Sequence, residues 1–152
     1  MRSRLRLPRS GASLARRSGN EEEAPTSQNA FADTPPRILV IEDDADTRRG
    51  VEEMLREEGF DVELASDGAE ALALLEAGSR PVLILLDLQM PGMSGWEFRR
   101  TQLSEPEISR IPVVVMTGYP DYDEGLTTLR PAGFLYKPVR SGDLHGLLDR
   151  FR

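Results

Sequence analysis

The stretch "VLILLDLQMPGMSG", residues 82–95, decides how this chain folds. Residues 82–86 are five large apolar residues with no polar interruption. A run of that length, bounded by turn formers, reads as a strand buried on both faces, which is the condition of a central strand in a parallel sheet. The Pro and Gly residues after it mark a tight connection. Asp87 stands between the two, at the carboxyl end of the apolar run.

Outward from this core the same pattern repeats. Upstream, "ILVI" (38–41) is a second buried strand by length and β-branching. The segment "ADTRRGVEEMLREEG" (45–59) predicts a helix with an apolar stripe at Val51, Met54 and Leu55, stopped by Gly59. Asp44 or Asp46 is its expected N-cap. "FDVELA" (60–65) predicts a half-polar strand. Asp67 and Glu70 predict a capping box opening the helix "GAEALALLEAG" (68–78), and Ser94 with Glu97 predicts another for "GWEFRRTQL" (95–103). Downstream come a fourth strand, "PVVVM" (112–116), a weak helix near 121–129 and a short strand, "GFLY" (133–136). A last helix begins near Ser141 and places Leu144, Leu147, Leu148 and Phe151 on one stripe. Strands alternating with helices five times make an α/β fold of the (βα)5 type, a doubly wound parallel sheet with helices on both faces.

Composition limits the chemistry. The 152 residues suffice for one ordinary domain. There is no cysteine, so disulfides, thiolate metal sites and cysteine nucleophiles are excluded. No apolar run reaches the roughly 18 residues of a membrane span. The net charge of −7 disfavours non-specific binding to nucleic acid. It is unevenly placed. Residues 1–20 carry six Arg and no acid, residues 21–35 carry four acids, and the remainder sums to about −9. Residues 1–35 therefore read as a disordered tail, basic and then acidic, ahead of a domain over residues 36–152.

In doubly wound sheets, function gathers at the carboxyl ends of the strands. Glu42, Asp43 and Asp44 follow the first strand, Asp87 the third, Thr117 the fourth and Lys137 the fifth. Carboxylates so close are tolerable around a hard divalent cation, and an all-oxygen ligand set suits Mg²⁺. A carboxylate is also a competent nucleophile towards phosphorus. A hydroxyl and an ammonium aimed at the same point would stabilise a transferring phosphoryl group. Lys137 is the only lysine beside eighteen arginines. Its compact charge on a slim stem suits one oxygen, where a guanidinium fork would need more room. His145, the only histidine, is expected at the surface, without a phosphorelay or metal role.

The segments "ILVIEDD", "LLDLQMPGMSG", "VVVMTG" and "FLYKP" together resemble the response-regulator receiver domain of two-component signalling, over about residues 36–152. The resemblance implies a CheY-like fold with strand order 2-1-3-4-5. It implies Asp87 as phosphoacceptor from a phosphohistidine, with Thr117 and Lys137 assisting. Mg²⁺ would be held by Glu42, Asp43, Asp87 and the backbone carbonyl of Gln89. Thr117 and Phe134 would be the switch pair, and the peptide from Lys137 to Pro138 would be cis. The implied donor is a sensor histidine kinase or a histidine phosphotransfer protein, in the cytoplasm, with output through an unknown downstream protein. The domain would not be an enzyme acting on other molecules, and no output domain is expected on this chain.

The chain departs from the family pattern at several points. Glu42 stands where Asp is also common, and Gly118 where Ala is frequent. Phe134 lacks the hydroxyl of the commoner Tyr. The segment from Thr117 to Lys137 is about two residues short, with Gly125 and Pro131 in it. The fourth helix should therefore be short or irregular, which weakens the case for the usual dimer through that helix, the fifth strand and the last helix. Bulky Tyr119 is expected to slow hydrolysis of the acyl phosphate. Two rival readings remain: a receiver used as a phosphorylation-independent docking module, and an Asp-nucleophile phosphohydrolase. The latter expects an Asp-x-Asp pair, whereas these acids are adjacent.

Overall fold

Burial of the central strands on both faces sets the architecture. The computed structural model describes residues 34–118 and 124–152. Five parallel strands form one sheet: β1 (Arg37–Ile41), β2 (Asp61–Ala65), β3 (Leu83–Asp87), β4 (Val113–Thr117) and β5 (Gly133–Tyr136). They lie in the order β2-β1-β3-β4-β5, the order expected. Four α-helices are described: α1 (Ala45–Glu57), α2 (Gly68–Glu76), α3 (Gly95–Leu103) and α4 (Ser141–Leu148). None is long and apolar enough to cross a membrane.

Successive side chains of a strand point to opposite faces. Leu39, Ile41, Ile84, Leu86, Val113 and Val115 pack with α2 and α3 residues such as Leu75 and Phe98. Ile38, Val40, Leu83, Leu85, Val114 and Met116 pack with Val51 and Leu55 of α1 and Leu144 and Leu148 of α4. Two cores back to back explain why β3 and β4 are buried at every position. The run at 82–86 is offset by one: Val82 is exposed, and β3 runs on through Asp87. Asp87 and Thr117 are thus the last residues of their strands, not the first residues beyond them.

Caps place the helices. Asp44, not Asp46, caps α1, its side chain accepting from Thr47 N at 2.9 Å. Ser94 and Glu97 form the reciprocal box expected at α3. The box at α2 is only half present. Asp67 accepts from Glu70 N, but the Glu70 carboxylate reaches past it to Ser66 N (2.7 Å) and Ser66 Oγ (2.8 Å). The Ser66 hydroxyl supplies a second donor that Asp67 lacks, which accounts for the difference.

Where a fourth helix would lie, the chain makes a six-residue 3-10 helix, Glu124–Leu129. It is anchored by a polar pair inside α3. Buried Arg99 donates from Nε to Leu129 O (2.9 Å), from Nη2 to Arg130 O (3.1 Å) and from Nη1 to Gln102 Oε1 (2.8 Å). Gln102, fully buried, donates to Ile108 O (2.8 Å) and Ile111 O (3.0 Å). Burial and the charge of Arg130 lower the Arg99 pKa from its ordinary value.

Residues Pro35–Arg152 form one compact unit. Residues 1–33, which hold nearly all of the expected tail, and Tyr119 lie outside the described residues.

Candidate functional site

The strand order reverses direction between β1 and β3, and that is where a doubly wound sheet opens a crevice at its carboxyl edge. Pairing of Ile41 with Leu86 sets Glu42 beside Asp87. Pairing of Asp87 with Met116 sets it next to Thr117. Lys137 N donates to Thr117 O at 2.8 Å, which brings the last group to the same edge. The result is a cleft of about 360 Å³ lined by Glu42, Asp43, Asp44, Asp87, Leu88, Gln89, Met116, Thr117, Gly118 and Lys137. Every strand-end residue singled out from the sequence for chemistry lines it.

Two of the acids in this cleft are buried. Glu42 is 1% exposed and Asp87 5% exposed, while Asp43 lies open to solvent. Lys137 Nζ sits 2.7 Å from Glu42 Oε1 and 3.2 Å from Asp87 Oδ1. It bridges both acids and is nearer to Glu42. Glu42 Oε2 accepts from Asp44 N at 3.0 Å, and Asp87 Oδ1 accepts from Gln89 N at 3.3 Å. Glu42 Oε1 is buried yet has no partner in hydrogen-bond alignment, so its contact with Lys137 is an ion pair only.

Electrostatics follow from burial. Burial raises the Asp87 pKa from 3.8 to about 6, helped by the charge of Glu42 and opposed by Lys137 and the Gln89 N–H. Burial pulls the Lys137 pKa down, but Glu42 and Asp87 outweigh it and hold the ammonium above its ordinary value. Carboxylate oxygens of Glu42, Asp43 and Asp87 lie within 4.8 Å of one another, the only such acid cluster among the described residues. An all-oxygen cluster with one buried oxygen lacking a hydrogen bond fits a hard divalent cation.

Backbone features support the site. The Lys137–Pro138 peptide is cis, as the resemblance implied. A Cβ at Gly95 would collide with Asp87 O and come within 2.7 Å of Leu88 Cα, so only glycine lets α3 start against the end of β3. Phe134 is turned outward, 37% exposed, beside exposed Tyr136 on β5. His145 stands on the surface of α4, outside the cleft, with Nδ1 2.9 Å from Glu58 Oε1.

Sequence reading missed Arg48. It sits in the first turns of α1, and its Nη1 donates to Glu42 O at 2.7 Å and Asp43 O at 3.3 Å. Nothing in an Arg on a polar helix face distinguishes it from a solvated cation; only the fold reveals the carbonyls it meets.

The chain is 36% identical over 118 residues to response regulator MprA from Mycobacterium sp. (strain KMS), covering 78% of this chain and 50% of that protein. It is 34% identical over 110 residues to the DNA-binding response regulator MtrA from Mycobacterium leprae, covering 71% and 47%. The chain thus spans about half the length of these curated relatives. Among solved structures it is similar to the chemotaxis protein CheY4 of Vibrio cholerae, with a TM-score of 0.71 and 28% identity over 78% of this chain and all of that one. It is also similar to response regulator TrrA from Thermotoga maritima in complex with Mg²⁺-BeF, with a TM-score of 0.68 and 27% identity over 77% and 99%. The sequence profile of the response regulator receiver domain matches residues 38–149, and this chain belongs to that family.

Proposed function

We propose that the chain is a phospho-accepting response regulator of a two-component system or phosphorelay, with Asp87 as phosphoacceptor. The observation that carries this is Asp87 itself: a buried carboxylate at a strand end, in a cleft it shares with three further acids, an ammonium and a hydroxyl. An Asp87 carboxylate oxygen attacks the phosphorus of a phosphohistidine. The P–N bond breaks, the imidazole leaves, and an acyl phosphate forms. Burial makes Asp87 more basic than an ordinary carboxylate, and so a better nucleophile, yet a pKa of about 6 leaves it mostly ionised at neutral pH.

Lys137 holds Asp87 in place before transfer and offers its charge to the phosphoryl oxygens afterwards. Thr117 supplies a hydroxyl to another of those oxygens. Glu42, Asp43, Asp87 and the backbone carbonyl of Gln89 would hold Mg²⁺, which when bound supplies positive charge to the transferring group. The switch follows from Thr117: engagement of the phosphoryl group draws it inward and opens room for Phe134, now exposed, to turn in. Phosphorylation then shifts a pre-existing equilibrium between two surfaces that a partner protein can distinguish. The donor is a sensor histidine kinase or histidine phosphotransfer protein, and the chain catalyses nothing beyond its own phosphorylation and dephosphorylation.

The test is incubation with a small-molecule phosphodonor and Mg²⁺, followed by mass spectrometry. One base-labile phosphoryl addition is expected, absent in Asp87→Asn and absent in EDTA. No addition in the wild-type protein would remove the phosphoacceptor reading and leave the docking-module reading standing.

A further inference from the structure

We infer that Arg48 is a positioning residue for the acidic pair: it fixes the main chain of Glu42 and Asp43 so that their carboxylates meet Asp87. The inference rests on the reading of these three acids as a cation site. One nitrogen, Nη1, donates to two successive carbonyls, Glu42 O at 2.7 Å and Asp43 O at 3.3 Å. Orienting those carbonyls sets the peptide plane that follows the Glu42 Cα and both planes that flank the Asp43 Cα, and so the directions in which the two acidic side chains leave the backbone. A third restraint acts from the other side, since Asp44 N donates to Glu42 Oε2 at 3.0 Å. The Asp44 carboxylate is in turn tied to Thr47 N and Oγ1, at 2.9 and 2.7 Å. The turn from β1 into α1 is therefore held by Arg48 at its carbonyls and by Asp44 at its carboxylate.

The placement of Arg48 runs against simple electrostatics. A cation near a helix N-terminus opposes the helix dipole. A cation beside a divalent-ion site opposes the ion. Removing it on charge grounds alone should tighten cation binding. If Arg48 acts by position, removing it should weaken binding instead, and the two accounts differ in sign. Arg49, the next residue, is the built-in control. It is exposed and donates only to Asp46 Oδ1, at 3.3 Å, with no contact to the acidic pair's backbone.

The experiment is calorimetric titration of the full chain with Mg²⁺ alone, with thermal midpoints in EDTA measured alongside. Arg48→Ala is expected to bind Mg²⁺ about 10-fold more weakly, at the low end for residues that orient metal ligands. Arg48→Lys, whose ammonium keeps N–H donors on a differently shaped side chain, should recover part of the loss, and Arg49→Ala should bind as tightly as wild type or slightly more tightly. Saturating Mg²⁺ should return the phosphorylation rate of Arg48→Ala towards the wild-type rate. A lowered midpoint with unchanged Mg²⁺ affinity in Arg48→Ala would assign Arg48 to the fold only and overturn the inference. If Arg48→Ala does not fold, Arg48→Met, which keeps the apolar stem and has no donor, decides: Mg²⁺ affinity equal to or tighter than wild type overturns it. Wild-type protein that takes up no Mg²⁺ overturns the underlying functional reading, a result separable from any behaviour of the variants.

Discussion

A single ammonium holds two buried carboxylates apart from one another's repulsion, and residue-scale predictions start there. Lys137→Arg keeps the charge but replaces a slim stem with a planar fork. The guanidinium fork needs more room than the point where Nζ now sits, 2.7 Å from Glu42 Oε1 and 3.2 Å from Asp87 Oδ1. Phosphorylation by a small donor should slow about 100–1,000-fold, as when one preorganised donor is lost, while circular dichroism shows the fold intact. Asp87 gives a prediction with a sign. Its folded pKa of about 6 lies above the ordinary 3.8, so between those values the folded state binds the extra proton. Its contribution to stability is therefore full at low pH and is lost as pH rises through 6. Asp87→Asn should remove that loss and stabilise the cation-free protein at pH 7.5 by about 1–3 kcal/mol relative to wild type. Urea unfolding of both proteins in EDTA at pH 4 and 7.5 checks this, and the advantage should shrink at the lower pH.

At the scale of elements, the weak fourth helix exposes a dependence on Arg99. Arg99→Ala would strip donors from Leu129 O, Arg130 O and Gln102 Oε1 at once. Leaving such groups unsatisfied in a buried setting should cost about 2–4 kcal/mol. Hydrogen exchange should localise the loss to residues 124–135. Gly95→Ala should be worse than its one methyl suggests, because the Cβ meets main chain of Asp87 and Leu88, which cannot turn aside as a side chain could. Loss of both stability and phosphorylation is expected. Elements were legible in sequence where their signal was local. Apolar runs located all five strands to within about a residue, and Gly125 and Pro131 foretold the irregular connection. The Arg99–Gln102 anchor was not legible. A charged residue on a helix ordinarily faces water, and the carbonyls that draw this one inward come from thirty residues away.

For the whole molecule, the same division holds. The positions of Asp87, Thr117 and Lys137 could be read because parallel topology carries every strand end to one edge. The closer approach of Lys137 to Glu42, and the grip of Arg48 on the acidic turn, depend on side-chain paths that no spacing encodes. A molecule whose acids oppose one another should gain stability from any cation that binds only its folded form. Mg²⁺ at a hundred times its dissociation constant should add about 2.7 kcal/mol. Unfolding midpoints measured across a Mg²⁺ series should rise in wild type and rise far less in Asp87→Asn.

The solitary lysine has one more consequence, for anyone wishing to watch the cleft directly. Amine-acylating reagents find no other side chain on this sequence, only Lys137 and the α-amino group. Unprotonated amine is the reactive form, and Glu42 and Asp87 keep Nζ charged. The rate at which one acyl mark appears therefore counts how often those carboxylates let go. The native chain carries its own reporter, with no label engineered into it.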